Sequence, residues 1–147
     1  MTTQQRWLIV FYALVAGAAL YATWSQNLQL MSPGTGLAGA FAVFLDHAKV
    51  NPASRSITVD IGFFLLAAAA FMIIEARRLG VRFVWAYILF GFLVAISVTF
   101  PLFMIARELR IAANPGRDGQ WSMNAVDLTG LAVVTVVVLG LTWLVLN

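Results

Sequence analysis

Apolar positions in this chain come in unbroken runs rather than in alternation. Four runs dominate it, at about residues 7–24, 57–76, 83–106 and 127–146. A helix rising about 1.5 Å per residue needs roughly 20 residues to cover a hydrocarbon layer of about 30 Å. Each run meets or approaches that length, and Asp60, about one turn inside the second, is the charge that interrupts them. Backbone amides at membrane depth find no water, so spanning segments are helices or closed barrels, and continuous runs select helices. The expected fold is all-α, an integral membrane four-helix bundle forming one domain over residues 1–147.

Punctuation between the runs refines this. Ser32-Pro33-Gly34-Thr35-Gly36 signals a turn. A short apolar stretch at about residues 37–48 follows, with Leu37, Phe41, Phe44 and Leu45 at helical spacing and Asp46, His47 and Lys49 at its end. It is too short to span, which predicts an interfacial or re-entrant helix between the first two spans. Asn51-Pro52 reads as a stop and restart, with Ser54 or Ser56 as the expected cap of the second span. Glu75-Ala-Arg77-Arg78-Leu-Gly80-Val-Arg82 forms a short hairpin, in which Gly80 suits a left-handed cap. Pro101 is expected to kink the third helix. Asn114-Pro115-Gly116-Arg117-Asp118-Gly119 reads as a loop, and Asn124 or Asp127 begins the fourth helix.

Composition agrees: 62% of residues are hydrophobic and 10% charged, against about 45–50% and about 25% in soluble domains. The formal charge of +3 sits at segment ends, where basic residues anchor helices, so nucleic acid is not an expected partner. The first run, behind Arg6, exceeds a signal-peptide core of about 7–15 residues and reads as a retained helix. One face is expected to receive Arg6, Arg77, Arg78 and Arg82 from very short stretches, and the other Lys49, Arg55, Arg107, Arg110 and Arg117 from longer ones. Because short loops weigh most, both termini and the arginine hairpin are expected in the cytoplasm of a bacterial inner membrane.

Few side chains carry chemistry. The absence of cysteine removes disulfides, thiolate metal sites and a cysteine nucleophile. The lone His47 excludes bis-histidine haem ligation and a histidine-rich zinc site, and no spanning run holds a lysine for a Schiff base. No metal or cofactor is expected. Asp60 is the leading candidate acid, either functional or paired with Arg107. Glu75 lies 15 residues further on, about 22 Å along a helix, too far for a carboxylate dyad; it suits a pair with Arg78 or Arg82. The arginines Arg77, Arg78, Arg82 and Arg107, with Trp85 nearby, either anchor the helices or hold a lipid phosphate.

The series Asn51-Pro52, Asp60, Glu75-Ala-Arg77-Arg78-Leu79-Gly80, Trp85, Gly91, Ser97, Pro101-Leu102 and Arg107-Glu108 resembles a family of small bacterial and algal membrane proteins known only as a domain of unknown function. The likeness covers about residues 7–110. The family usually has glycine where this chain has Ala76, and the fourth helix looks like an addition. The Asp60 helix, the Arg77-Arg78-Leu79-Gly80 hairpin and the following helix are also similar to a plant and cyanobacterial membrane family required for neoxanthin formation. That second resemblance implies a carotenoid or other isoprenoid ligand.

Three functions follow as expectations. The first is binding of an isoprenoid-like lipid, with isomerisation or cyclisation open and Asp60 and Glu75 as candidate catalytic acids. The second is a non-catalytic accessory subunit of a larger membrane complex. The third is a small dimeric transporter, ranked last because neither acid lies at mid-membrane. Expected partners are membrane lipids, an isoprenoid ligand, and either further copies of the chain or membrane-complex subunits.

Overall fold

The computed structural model describes residues 1–31, 36–114, 116 and 124–147. The turn at 32–35, the side chain of Leu37, and Pro115 with Arg117–Gly119 of the expected loop lie outside the described residues. Six helices follow in order: α1 (Thr3–Asn27), α2 (Gly36–Ala48), α3 (Pro52–Leu79), α4 (Val84–Phe90), α5 (Ile96–Ala113) and α6 (Ala125–Leu146). A 3-10 turn, Leu28–Leu30, extends α1, and a π-helical turn, Gly91–Ala95, joins α4 to α5. Four helical segments are long and apolar enough to cross a membrane, with the short apolar helix Ala38–Ala48 between the first two, so the all-α architecture is as the apolar runs indicate.

Each boundary has a local cause. Thr2 and Gln5 form a reciprocal cap on α1. Asn51 caps α3, its Oδ1 accepting from Ser54 N–H at 2.9 Å with Pro52 in the first turn. The helix thus starts earlier than a Ser54 or Ser56 cap would place it. Gly80 ends α3 at φ 72°, and Val81 N–H returns to the Ala76 carbonyl at 3.0 Å, closing a Schellman turn. Asn124 caps α6 by accepting from Asp127 N–H at 2.9 Å, while Asp127 accepts from Asn124 N–H at 3.2 Å.

The third apolar run departs from a single straight rod. Tyr87 and Phe103 stack edge to face with ring centroids 5.6 Å apart, whereas 16 residues of straight helix span about 24 Å. A Cβ on Gly91 would lie 3.2 Å from Thr99 Oγ1. Both pairs are symmetric about residue 95. There Ala95 is extended (φ 179°, ψ 139°) between two helical arms, and the chain doubles back on itself. Pro101, expected to mark the bend, lies buried inside α5 instead. The reversal falls six residues earlier, where the π turn has already loosened the hydrogen-bond ladder.

This hairpin fixes helix directions. Arg107 pairs with Glu75 and Phe100 sits between Phe64 and Phe71, so α5 runs parallel to α3. The indole N–H of Trp24 donates to the Val94 carbonyl at 3.3 Å, at the corner. From there α1 packs back along α5 in the opposite direction. α6 runs antiparallel to α3, held by Arg77–Asp127 at one end and with Gly62 against Val138 further along.

The core lies along one stripe of α3: Leu65, Ala68, Ala69, Met72, Ile73 and Ala76. Val84, Ile88, Ile96 and Phe103 of the hairpin and Val134 and Val138 of α6 pack onto it. Ala69, fully buried, lets neighbouring backbones approach closely, which matters where lipid removes the hydrophobic drive for helices to associate. Large apolar side chains such as Trp7, Leu14, Tyr21, Val136 and Trp143 are exposed. A bilayer accounts for that outward face.

Candidate functional site

The charged chemistry gathers at the C-terminal end of α3. Glu75 and Arg78 stand one turn apart there, and Arg78 binds both carboxylate oxygens of Glu75, at 2.8 Å each. The returning arm brings Arg107, whose Nε donates to Glu75 Oε2 at 2.6 Å and whose Nη1 donates to Glu108 Oε1 at 2.7 Å. Arg77 points the other way and holds Asp127 with two bonds, at 2.7 and 2.5 Å. Glu75, Glu108 and Asp127 are buried. A carboxylate taken out of water survives only when paired and fully hydrogen-bonded, and the forked guanidinium supplies both conditions. Three buried anions and three arginines therefore neutralise one another and tie α3, the hairpin and α6 together.

Further cations surround this network. Arg82, in the turn before α4, and Arg110, one turn beyond Arg107, make no ion pair with any described carboxylate. The N-terminus of α1 carries Arg6 to the same end, because α1 runs antiparallel to α5. Phe83, beside Arg82, takes φ 59° and is 79% exposed. A bulky residue in the left-handed region is uncommon; here it lets the turn close in a few residues and leaves the ring outside.

Beside this end lies a cleft of about 450 Å³ lined by Trp85, Ala125, Val126, Thr129 and Gly130. The Trp85 indole covers Gly130 so closely that a Cβ there would fall 2.0 Å from the ring. Its Nε1 is buried and has no hydrogen-bond partner among the described residues. Absence of a side chain at position 130 is what allows the helices to meet over the ring.

The other expected acid is elsewhere. Asp60 is exposed, 15 residues before Glu75, on an open cleft with Arg55, Ser56 and Leu146 near the opposite end of α3. The anticipated Asp60–Arg107 pair does not form, because the fold-back carries Arg107 to Glu75. Nor do Asp60 and Glu75 converge. Arg77, Arg78, Arg82, Arg107 and Trp85 do come to one end, whereas Asn51, Pro52, Gly80 and Pro101 shape helices. Asp127, expected only to begin the fourth helix, Glu108, and Arg110, expected on the face of Lys49 and Arg55, complete this end.

The family of proteins of unknown function DUF2834 matches residues 11–109. The chain belongs to that family, and α6 with its Asp127 lies beyond the matched region. The match carries no link to neoxanthin formation. No curated protein and no solved structure matches the chain.

Proposed function

We propose that this membrane protein binds a lipid phosphate at its arginine-rich end, with the hydrocarbon chain lying along the Trp85–Gly130 cleft. One observation carries the reading: the three buried carboxylates are already matched by Arg77, Arg78 and Arg107, while Arg82 and Arg110 stand beside them with no carboxylate among the described residues. Guanidinium forks fit phosphate oxygens bidentately. The neutralised network supplies the base, and Arg82 and Arg110 supply the attraction. A phosphorylated isoprenoid and an anionic phospholipid share the required chemistry and differ in the chain.

Turnover has less support than binding. Both oxygens of Glu75 are engaged by arginines, and Asp60 faces an open cleft rather than an enclosed apolar chamber. A proton donor for isomerisation or cyclisation needs a carboxyl held away from cations in a dry pocket.

Native mass spectrometry of the purified protein, titrated separately with phosphatidylglycerol, a polyprenyl phosphate and phosphatidylcholine, tests the reading. Retention of either anionic lipid over phosphatidylcholine is expected, and the preferred one identifies the chain. Each arginine near an anionic surface contributes about 1 kcal/mol. Arg82→Ala and Arg110→Ala should therefore each weaken retention roughly fivefold. Equal retention of all three lipids, unchanged in the double variant, would end the proposal.

A further inference from the structure

We infer that the α4–α5 hairpin is re-entrant, so that the chain crosses the membrane three times and its termini lie on opposite sides, with the arginine-rich end in the cytoplasm. The argument starts from length. From Val84 to Ala95 is 12 residues, about 18 Å of helix, against a hydrocarbon layer of about 30 Å. The first arm therefore turns before it crosses. The second arm returns Arg107 to Glu75, next to where the first arm began. The end of α5 and the start of α6 then share a side with the Gly80–Phe83 turn, since Asp127 is held by Arg77. α6 crosses once and leaves Asn147 on the far side, with Pro52 and Lys49. α1, antiparallel to α5, starts on the arginine side and ends near the corner.

Charge supports the arrangement independently. With four straight spans, the basic residues divide almost evenly between the two faces. With the hairpin, among the described residues, Arg6, Arg77, Arg78, Arg82, Arg107 and Arg110 fall on one side and Lys49 and Arg55 on the other. Basic residues flanking spans are retained on the cytoplasmic side, so this partition of the described basic residues, six against two, both fits a real topology and orients it. At the corner the Trp24 indole donates to the Val94 carbonyl, so protein supplies a partner for backbone that would otherwise meet lipid.

The expectation of two cytoplasmic termini gives way to a cytoplasmic N-terminus and an external C-terminus. The lipid reading, if correct, then concerns the cytoplasmic leaflet, but the topology does not depend on it. Because the chain has no cysteine, single substitutions report position cleanly. Gln4→Cys, Arg82→Cys, Asn114→Cys, Lys49→Cys and Asn147→Cys would be treated with a membrane-impermeant maleimide in right-side-out vesicles. Lys49→Cys and Asn147→Cys should label directly; the other three should label only after the membrane is permeabilised. Phe83→Cys replaces Arg82→Cys if that variant fails to accumulate. Labelling of positions 82 and 114 from opposite sides would overturn the re-entrant hairpin. Direct labelling of both from outside would overturn the cytoplasmic assignment. Neither outcome touches lipid retention, which is measured separately.

Discussion

The fold-back at Ala95 makes a covalent prediction at positions 91 and 99. A Cβ built on Gly91 lies 3.2 Å from Thr99 Oγ1, the atom that a cysteine sulfur replaces in the same rotamer. That places the two Cβ atoms near the separation of about 3.5–4.5 Å that a disulfide needs. In a straight helix, eight residues separate the same positions by about 12 Å along the axis, beyond the limit of about 7 Å between bridged Cα atoms. The variant Gly91→Cys/Thr99→Cys should therefore close a disulfide when membranes are treated with copper–phenanthroline. The new side chain at 91 also meets Ile96 Cδ1 at 3.3 Å. Such crowding costs about 1–3 kcal/mol, so the reduced variant should melt earlier than the parent. The assay reads the link itself: after oxidation and denaturation, a bulky polyethylene-glycol maleimide should leave the double variant unshifted, and reduction should restore two additions. Each single variant should take one addition throughout. Two additions persisting after oxidation, in protein that still melts cooperatively, would refute a hairpin centred on residue 95.

Two further outcomes follow from the packing. Arg77→Ala leaves Asp127 buried without its forked partner; breaking such a pair costs about 3–5 kcal/mol, reduced here because the Arg77 side chain is 34% exposed. A loss of about 2–3 kcal/mol is expected in unfolding from mixed micelles, partly recovered in Arg77→Ala/Asp127→Ala, and a change within about 0.5 kcal/mol would show that α6 docks without this tie. Gly130→Ala puts a methyl group where the Trp85 ring already lies, 2.0 Å away; a loss of about 1–3 kcal/mol is expected, together with a change in tryptophan fluorescence as the indole is displaced, and an unaltered spectrum would count against the contact.

Much of the architecture is written in the apolar pattern, because lipid imposes a simple rule on length and continuity. The four long segments, the short helix before α3, the Gly80 cap and the Glu75–Arg78 pair all follow from spacing and local chemistry. The reversal does not, because nothing in an apolar run distinguishes a rod from two antiparallel arms. Ala95 carries no turn signal, and Pro101 draws attention to the wrong residue. A clue lies in length: Val84–Ala113 is 30 residues, where roughly 20 suffice to cross, and the surplus is what a returning arm consumes.

Site residues were legible where partners are close in sequence and obscure where they are distant. Glu75 and Arg78 are one turn apart on one helix, so spacing alone pairs them. Arg107 reaches Glu75 across 32 residues and Arg77 reaches Asp127 across 50, and both pairings depend on helix direction. Once α5 is reversed, Arg107 leaves the face of Lys49 and Arg55 and becomes the partner that lets Glu75 be buried. The same reversal turns an ambiguous charge distribution into a one-sided one. Burial of Glu75, Glu108 and Asp127 requires cations that only this chain path delivers to one end. A straight third span would leave Glu75 with Arg78 alone and send Arg107 and Glu108 to the other interface, giving up the Arg107–Glu75 tie that holds the hairpin to α3. The network and the hairpin are thus one structural decision.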